Sequence, residues 1–337
     1  MARAPSAAGA TAFNRDAKMF PSVLSLLVDN WPTPMVRLET ECAESREVWA
    51  KLEFYNPLSR SIKDRAAWAM LRDALESGVL KSKLEEATSG NAGLALAALS
   101  SVLGLRFTAY LPSSAPEATE AALKVFGACV VRLKHKVLDK SMWAYVKSHA
   151  ERIGATNLNQ FENEANFRAH YETTAREIIE QLEAVGRRPS CVVAGIGTSA
   201  HVAAIARRLR ERYRDSVRVV GVQPSLGSTI PGLKRVEAEP KWLSQTQLDE
   251  VVDVSLSEAV EGVLEVARRE GLFVGLSSGA VFKAYRKVSG DGGGVYVLVF
   301  PDGGFKYIEQ IRRYLCEACA EGAEPLSCKQ DMGGGSE

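Results

Sequence analysis

Lys63 is the residue of this chain best placed for covalent chemistry. It lies in Tyr55-Asn56-Pro57-Leu58-Ser59-Arg60-Ser61-Ile62-Lys63-Asp64-Arg65, where a β-rich run over residues 48–55 stops at an Asn-Pro turn. Residues 62–75 then have the spacing of an amphipathic helix, which puts Lys63 at a helix N-terminus. The macrodipole presents partial positive charge there, so a solvated lysine gains nothing from the position. An amine consumed in an imine with an aldehyde is a different matter, because the charge is removed. The bland alternative is a surface lysine in a capping turn. Three further junctions weigh against it.

Each of them joins a strand-like run to a helical one through small or hydroxylated residues. In Ala87-Thr88-Ser89-Gly90-Asn91-Ala92-Gly93 the small side chains let a ligand approach the backbone, and first-turn N–H groups suit a carboxylate. A capped helix start accounts for a serine or an asparagine there, but not for the whole cluster. Gly195-Ile196-Gly197-Thr198-Ser199-Ala200 fits G-x-G-x-x-[GA], which makes a dinucleotide site a competing reading. The following strand, 217–222, runs into Gln223-Pro224 and offers no acidic residue for a ribose, so a single-phosphate cradle survives better. Gly275-Leu276-Ser277-Ser278-Gly279 fits the nucleophile elbow G-x-S-x-G, expected between a strand and a helix. A hydrolase of that type carries its histidine after the serine, whereas His135, His149, His170 and His201 all precede Ser277.

Such loops act together only if regular elements hold them. Strand-like runs at 48–55, 84–87, 106–111, 129–133, 191–194, 217–222 and 295–300 alternate with helical patterns. The helices are expected at 62–75, 92–103, 117–126, 138–153, 165–185, 200–213, 256–270 and 279–288. That alternation predicts an α/β fold of parallel sheets covered by helices on both faces, with ligands beyond the carboxyl ends of the strands.

The chain has 337 residues, 46% hydrophobic and 25% charged, with a net charge of +1, which excludes a polyelectrolyte partner such as nucleic acid. No apolar run approaches the ~20 residues that cross a bilayer. Residues 1–18 lack a hydrophobic segment and read as an arm rather than a secretory signal. The six cysteines are too scattered for a disulfide framework. Cys42, Cys129 and Cys191 lie in or beside apolar runs and are expected as small core residues. Cys316, Cys319 and Cys328 form a CxxC pair with a third thiol, for which an incidental origin outweighs a redox role; no histidine follows His201 to complete a metal site.

Taken in order, the four junctions resemble those of fold-type II pyridoxal-phosphate enzymes, specifically the cysteine synthase branch. The resemblance runs from Trp31-Pro32-Thr33-Pro34-Met35-Val36-Arg37-Leu38 to Phe300-Pro301-Asp302-Gly303-Gly304-Phe305-Lys306-Tyr307. Within the branch the chain is most similar to archaeal O-phosphoserine sulfhydrylases, through Asn159-Gln160-Phe161 and residues 162–170, Gln223-Pro224, and residues 230–237. The implied fold is two open, twisted, mostly parallel sheets, tryptophan synthase β-like. A smaller mobile unit would span 47–156, a larger one 19–46 with 157–321, and a tail 322–337.

The resemblance also implies roles. Lys63 would be the Schiff-base lysine and the acid/base for the substrate Cα proton. Asn91 would hydrogen-bond the ring hydroxyl of pyridoxal 5′-phosphate, and Gly197, Thr198, Ser199, Ala200 and His201 would hold its phosphate. Ser277, or Ser278 if the register is one residue off, would face the pyridine nitrogen and leave it largely unprotonated, a weaker electron sink suited to β-replacement. Thr88, Ser89, Gly90 and Gln160 would take the substrate carboxylate. The implied reaction forms L-cysteine from O-phospho-L-serine and sulfide in a cytoplasmic homodimer without a metal.

Two features depart from the comparison. The phosphate loop has Ser199-Ala200-His201 where many cysteine synthases have Gly-Gly-Thr, and Gly90 stands where the phosphoserine enzyme has a second serine. O-acetylserine therefore stays open as donor, as does serine in a cystathionine β-synthase-type reaction. A phosphate leaving group needs an added cation, and Lys234 and Arg235 are the expected ones, Arg235 first because a guanidinium meets phosphate oxygens bidentately.

Overall fold

The structure is a computed structural model that describes residues 18–290 and 292–320. Its strands are β1 (Met35–Arg37), β2 (Arg46–Leu52), β3 (Lys83–Ala87), β4 (Arg106–Leu111), β5 (Cys129–Arg132), β6 (Cys191–Gly195), β7 (Arg218–Pro224), β8 (Glu250–Val254) and β9 (Gly294–Phe300). The helices are α1 (Val23–Asp29), α2 (Lys63–Glu76), α3 (Asn91–Leu103), α4 (Glu117–Val125), α5 (Lys140–Arg152), α6 (Glu164–Ala169), α7 (Ala175–Glu183), α8 (Ala200–Tyr213), α9 (Leu256–Glu270), α10 (Leu276–Ser289) and α11 (Ile308–Ala320).

Two sheets result. The larger has the order β1-β2-β9-β6-β7-β8, the smaller β3-β4-β5. Every pairing is parallel except the antiparallel β1–β2 edge, as the alternation of strands and helices predicts. The central β6, Cys-Val-Val-Ala-Gly, is buried along its whole length, the mark of a strand covered on both faces. One face of the larger sheet packs Val193, Val220 and Leu298 against α9 and α10; the other packs Val192, Val219 and Val297 against α7 and α8. In the smaller sheet Leu84, Phe107 and Ala109 pack against α2 and α3, while α5 covers the other side through Met142 and Val146. Among the described residues no helix is long and apolar enough to cross a membrane.

Several expectations need correction. A boundary at residue 47 would give β2 to the smaller unit, but β2 pairs along its length with β9 in the larger sheet. Val274 forms only an isolated bridge with Gly303, so no strand precedes the Gly275 elbow. The helix expected over 165–185 is interrupted by a π-turn at His170–Thr174. Cys191 is buried and its thiol is pushed up to about 12 by that burial, whereas Cys129 is exposed because β5 is an edge strand. Cys316 is exposed on α11; the side chain of Cys319 and all of Cys328 lie outside the described residues, as does most of the N-terminal arm.

Candidate active site

Three of the four junctions, all but the Gly275–Gly279 turn, converge on one cleft at the carboxyl ends of β2, β3 and β6. It holds roughly 920 Å³ of empty space, counting its open mouth, and Lys63, Thr88, Ser89, Gly90, Asn91, Gln160, Gly197, Thr198 and Lys234 all reach it.

Lys63 opens α2, and its position is over-determined. The Asp64 carboxylate accepts from the backbone N–H groups of Leu58 (2.7 Å) and Ser59 (2.8 Å), which fixes the loop after the Asn-Pro turn. Ile62 donates to the carbonyl of Pro301 at 2.9 Å, tying the start of α2 to the end of β9. Arg65, fully buried, is clamped by Glu53 (2.7 Å) and Glu177 (2.6 Å), and Glu177 also takes Lys51 at 2.7 Å. Two cations and two anions balance, and the neighbouring guanidinium and ammonium hold the Glu177 carboxyl well below its usual range. Breaking a buried pair of this kind costs about 3–5 kcal/mol, so the network anchors the lysine two residues away. Burial lowers the Lys63 amine to about 8, with the nearby Asp302 charge opposing the shift.

In the second loop the Thr88 hydroxyl accepts from the N–H groups of Gly93 (2.9 Å) and Gly90 (3.3 Å). A Cβ at Gly93 would sit 2.5 Å from the Thr88 methyl, so glycine is required for that approach. Thr88 thus shapes the loop, while Ser89 is exposed to the cleft. Gln160 donates its side-chain amide to the carbonyl of Ala87 at 3.1 Å.

Glu86, one residue earlier, was not singled out from the sequence. Its buried carboxylate accepts from the backbone N–H groups of Leu158 (3.2 Å), Asn159 (3.0 Å) and Gln160 (3.2 Å) and from the Asn157 amide (3.2 Å). It therefore holds Gln160 against the Thr88–Gly90 loop. Burial pushes the carboxyl up to about 7, against the pull of those donors. Glu86→Ala strands the donors and is expected to cost about 2–3 kcal/mol in urea denaturation. A carboxyl raised in the folded state contributes most below its unfolded value, so the deficit should be largest below about pH 4.5 and shrink as pH rises through about 7.

The loop after β6 has the marks of an anion cradle. Ser199 takes a left-handed conformation (φ 64°) as the N-cap of α8, whose first-turn N–H groups have no intrahelical acceptor. The Ser199 hydroxyl, both ring nitrogens of His201 and Oδ1 of Asn166 are buried without a hydrogen-bond partner. Such orphans are costly unless a polar guest meets them. A Cβ at Gly197 would lie 2.6 Å from the Gly232 carbonyl, so the backbone runs as close to the cleft wall as it can. Burial drops His201 to about 3, leaving a neutral ring with one N–H to donate. With an amine on the floor and an unsatisfied anion cradle beside it, these residues fit an aldehyde cofactor that carries one phosphate.

Ser277 and Ser278 stand in the first turn of α10. Ser278 gives its hydroxyl to the backbone carbonyl of Asp302 at 3.2 Å and is fully buried; Ser277 points at the Asp302 carboxylate from 3.4 Å. Lys234 crosses the cleft mouth: its ammonium donates to the carbonyl of Leu138 at 3.0 Å and lies 4.2 Å from the centre of the Phe161 ring. Burial lowers its amine to about 8. Arg235 turns away from the cleft and is spent on Glu237 (2.8 Å) and Asp253 (3.1 Å). Lys306 and Tyr307, at the end of the quoted motif but given no role from the sequence, also line the cleft.

Comparison with known proteins agrees with this geometry. Residues 26–302 match the family described as pyridoxal-phosphate dependent enzyme. The chain is 36% identical over 282 residues to cysteine synthase B of Salmonella typhimurium, covering 82% of this chain and 91% of that one. It is likewise 36% identical over 292 residues to a cysteine synthase of Aquifex aeolicus, covering 82% and 88%. Among solved structures it resembles O-ureido-L-serine synthase with a TM-score of 0.79 and 30% identity, covering 92% of this chain and 98% of that one.

Proposed function

The chain belongs to the family of pyridoxal-phosphate dependent enzymes, and on that footing we propose that it makes L-cysteine from O-phospho-L-serine and sulfide. The observation that carries this reading is two amines in one cleft, Lys63 at the floor and Lys234 at the mouth. Pyridoxal phosphate supplies the electron sink for the electrons released at Cα. The unsatisfied donors of the Gly197–His201 loop would hold its phosphate, and the Asn91 amide, which donates to Asp302 at 2.7 Å, would be the group for its ring hydroxyl.

The chain's own groups divide the remaining work. The 88–90 loop and Gln160 orient the donor carboxylate. The Lys63 amine, lowered to about 8, is close enough to neutrality to take the Cα proton and give it back. The Lys234 ammonium meets the leaving phosphate, where a charge-assisted contact is strong because the site is partly desolvated. Across the reaction the Cβ–O bond breaks and phosphate leaves with its electron pair. Hydrosulfide gives a pair to Cβ, and the Cα proton returns. Of the two residues proposed from the sequence for the phosphate, the geometry favours Lys234, since Arg235 already has two carboxylates.

Closure of the smaller unit over the bound amino acid, as a cytoplasmic homodimer, completes the proposal; the bridge from Lys234 to Leu138 supports the closure, because it spans the cleft. The test is a parallel assay of sulfide with O-phosphoserine, O-acetylserine and serine. O-phosphoserine should show the highest kcat/KM. A higher value for O-acetylserine would make this an acetylserine enzyme, and a higher value for serine a cystathionine β-synthase-type one.

A further inference from the structure

Lys306 and Asp302 have no part in the reading above, yet they meet Asn91 from opposite ends with opposite charges. Lys306 lies in the 3₁₀ turn Gly304–Tyr307 that follows β9, and it lines the cleft. Its ammonium donates to the Ser59 carbonyl at 2.9 Å and to Oδ1 of Asn91. Asp302 is 1% exposed, and its Oδ2 accepts from Nδ2 of Asn91 at 2.7 Å and from the Tyr307 hydroxyl at 2.5 Å. Its Oδ1 faces the Ser277 hydroxyl at 3.4 Å, and a Cβ at Gly275 would lie 2.0 Å from that oxygen, so the glycine is what admits the carboxylate. The ammonium stands 3.8 Å from Oδ2, beyond hydrogen-bond distance. The two charges are therefore joined through the Asn91 amide rather than directly.

An amide held in this way has one orientation. The oxygen and nitrogen ends of a carboxamide are nearly alike in size, so an unheld asparagine can turn over at little steric cost. Here a turn would set the NH₂ group against an ammonium and the oxygen against a carboxylate. Two charge-assisted hydrogen bonds would be lost and two repulsions gained. With Oδ1 taken by Lys306 and one Nδ2 hydrogen by Asp302, the second Nδ2 hydrogen is the group left to donate to a ligand. The same pair fixes the neighbouring loop. Lys306 holds the carbonyl of Ser59, four residues before Lys63, and Asp302 bridges to Ser61.

We propose that Lys306 is a positioning residue for Asn91: with Asp302 at the other end, it holds the amide so that a donor, and not the oxygen, meets the ring hydroxyl of the cofactor. The proposal deepens the reading above and rests on the pairing of Asn91 with that hydroxyl.

The test uses the cofactor-stripped full-length enzyme and two ligands that lack an aldehyde, pyridoxine 5′-phosphate and its 3-deoxy form, so that binding is read apart from the chemistry of Lys63. Titration calorimetry gives the ratio of their dissociation constants. Wild type should bind the hydroxylated ligand about tenfold more tightly, the factor one well-made hydrogen bond supplies. Lys306→Met keeps the stem but not the ammonium, and its preference should fall to about twofold or less as the amide turns freely. Asn91→Ala should show the same small preference, and adding Lys306→Met to it should lower the ratio no further, because both changes act on one contact. General loosening of the cleft would weaken both ligands alike, so a methionine variant that keeps the wild-type ratio overturns the proposal even if it binds each more weakly. If that variant does not fold, Lys306→Leu must show the same fall in ratio, and a wild-type ratio there overturns the proposal equally. A wild type that binds the two ligands alike overturns it through its premise, the Asn91 pairing, and is distinguished by needing no variant to appear.

Discussion

Lys63→Ala is expected to abolish the visible absorption of the cofactor-loaded protein and its turnover together. The drop in kcat should be roughly 10³-fold or more, since on the proposed reading one amine both carries the cofactor and moves the Cα proton. Stability should not follow. Lys63 buries an amine at a cost, shown by its lowering to about 8, and methyl replacement removes that cost while Asp64 and Arg65 still pin α2. The sign is clear from the direction of the shift: a lysine lowered in the folded state destabilises below its folded value, and the penalty fades as pH rises through about 8. The variant should therefore unfold at the same or a higher urea concentration than wild type at pH 7, the margin shrinking toward pH 9. A protein that kept its colour and its cysteine formation would refute the central assignment. One that lost both because it failed to fold would show a flat urea curve, and so would be recognised.

Much of this site was legible because its parts sit where strands end. Small residues after an apolar run betray a turn into a helix, and parallel sheets gather such turns on one edge. The loops at 88–91 and 197–201 were found for that reason. What the sequence concealed were residues whose importance is relational. Glu86 lies within a strand-like run and looks like a solvated charge until residues 157–160 are laid against it. Asp302 sits in a glycine-rich turn, and only contact with Asn91, Tyr307 and Ser277, distant in the chain or on other elements, gives it meaning. The two edge strands of the larger sheet were missed for a simpler reason. β1 has three residues, and β8, Glu-Val-Val-Asp-Val, carries two acidic side chains and buries only Val252 and Val254, too little to stand out. The π-turn at 170–174 preserves the apolar periodicity of its flanking helices, so α6 and α7 read as one.

The donor hinges on which basic residue meets the leaving group, and the geometry reverses the order that charge chemistry alone suggests. A guanidinium is the better phosphate ligand in the abstract, yet Arg235 is already bound by Glu237 and Asp253 and lies away from the cleft. Lys234 is hydrogen-bonded to a carbonyl and lies on a ring face, neither of which neutralises its charge, and the Asp139 carboxylate acts on it only through space. Lys234→Met, which keeps the stem against Phe161, is expected to raise KM for O-phosphoserine at least tenfold, about 1.4 kcal/mol. O-acetylserine should be affected much less, because its ester offers no charge to the amine. Arg235→Ala should leave the ratio of the two donors within about twofold. The same contact predicts a pH effect. Burial lowers the Lys234 amine to about 8, so below that value it is an ammonium and above it a neutral base. KM for O-phosphoserine should accordingly climb as pH rises past ~8 in wild type and stay flat in Lys234→Met. A methionine variant that kept both its preference for O-phosphoserine and its alkaline rise in KM would remove Lys234 from the phosphate site, and with it the main reason to prefer a phosphorylated donor.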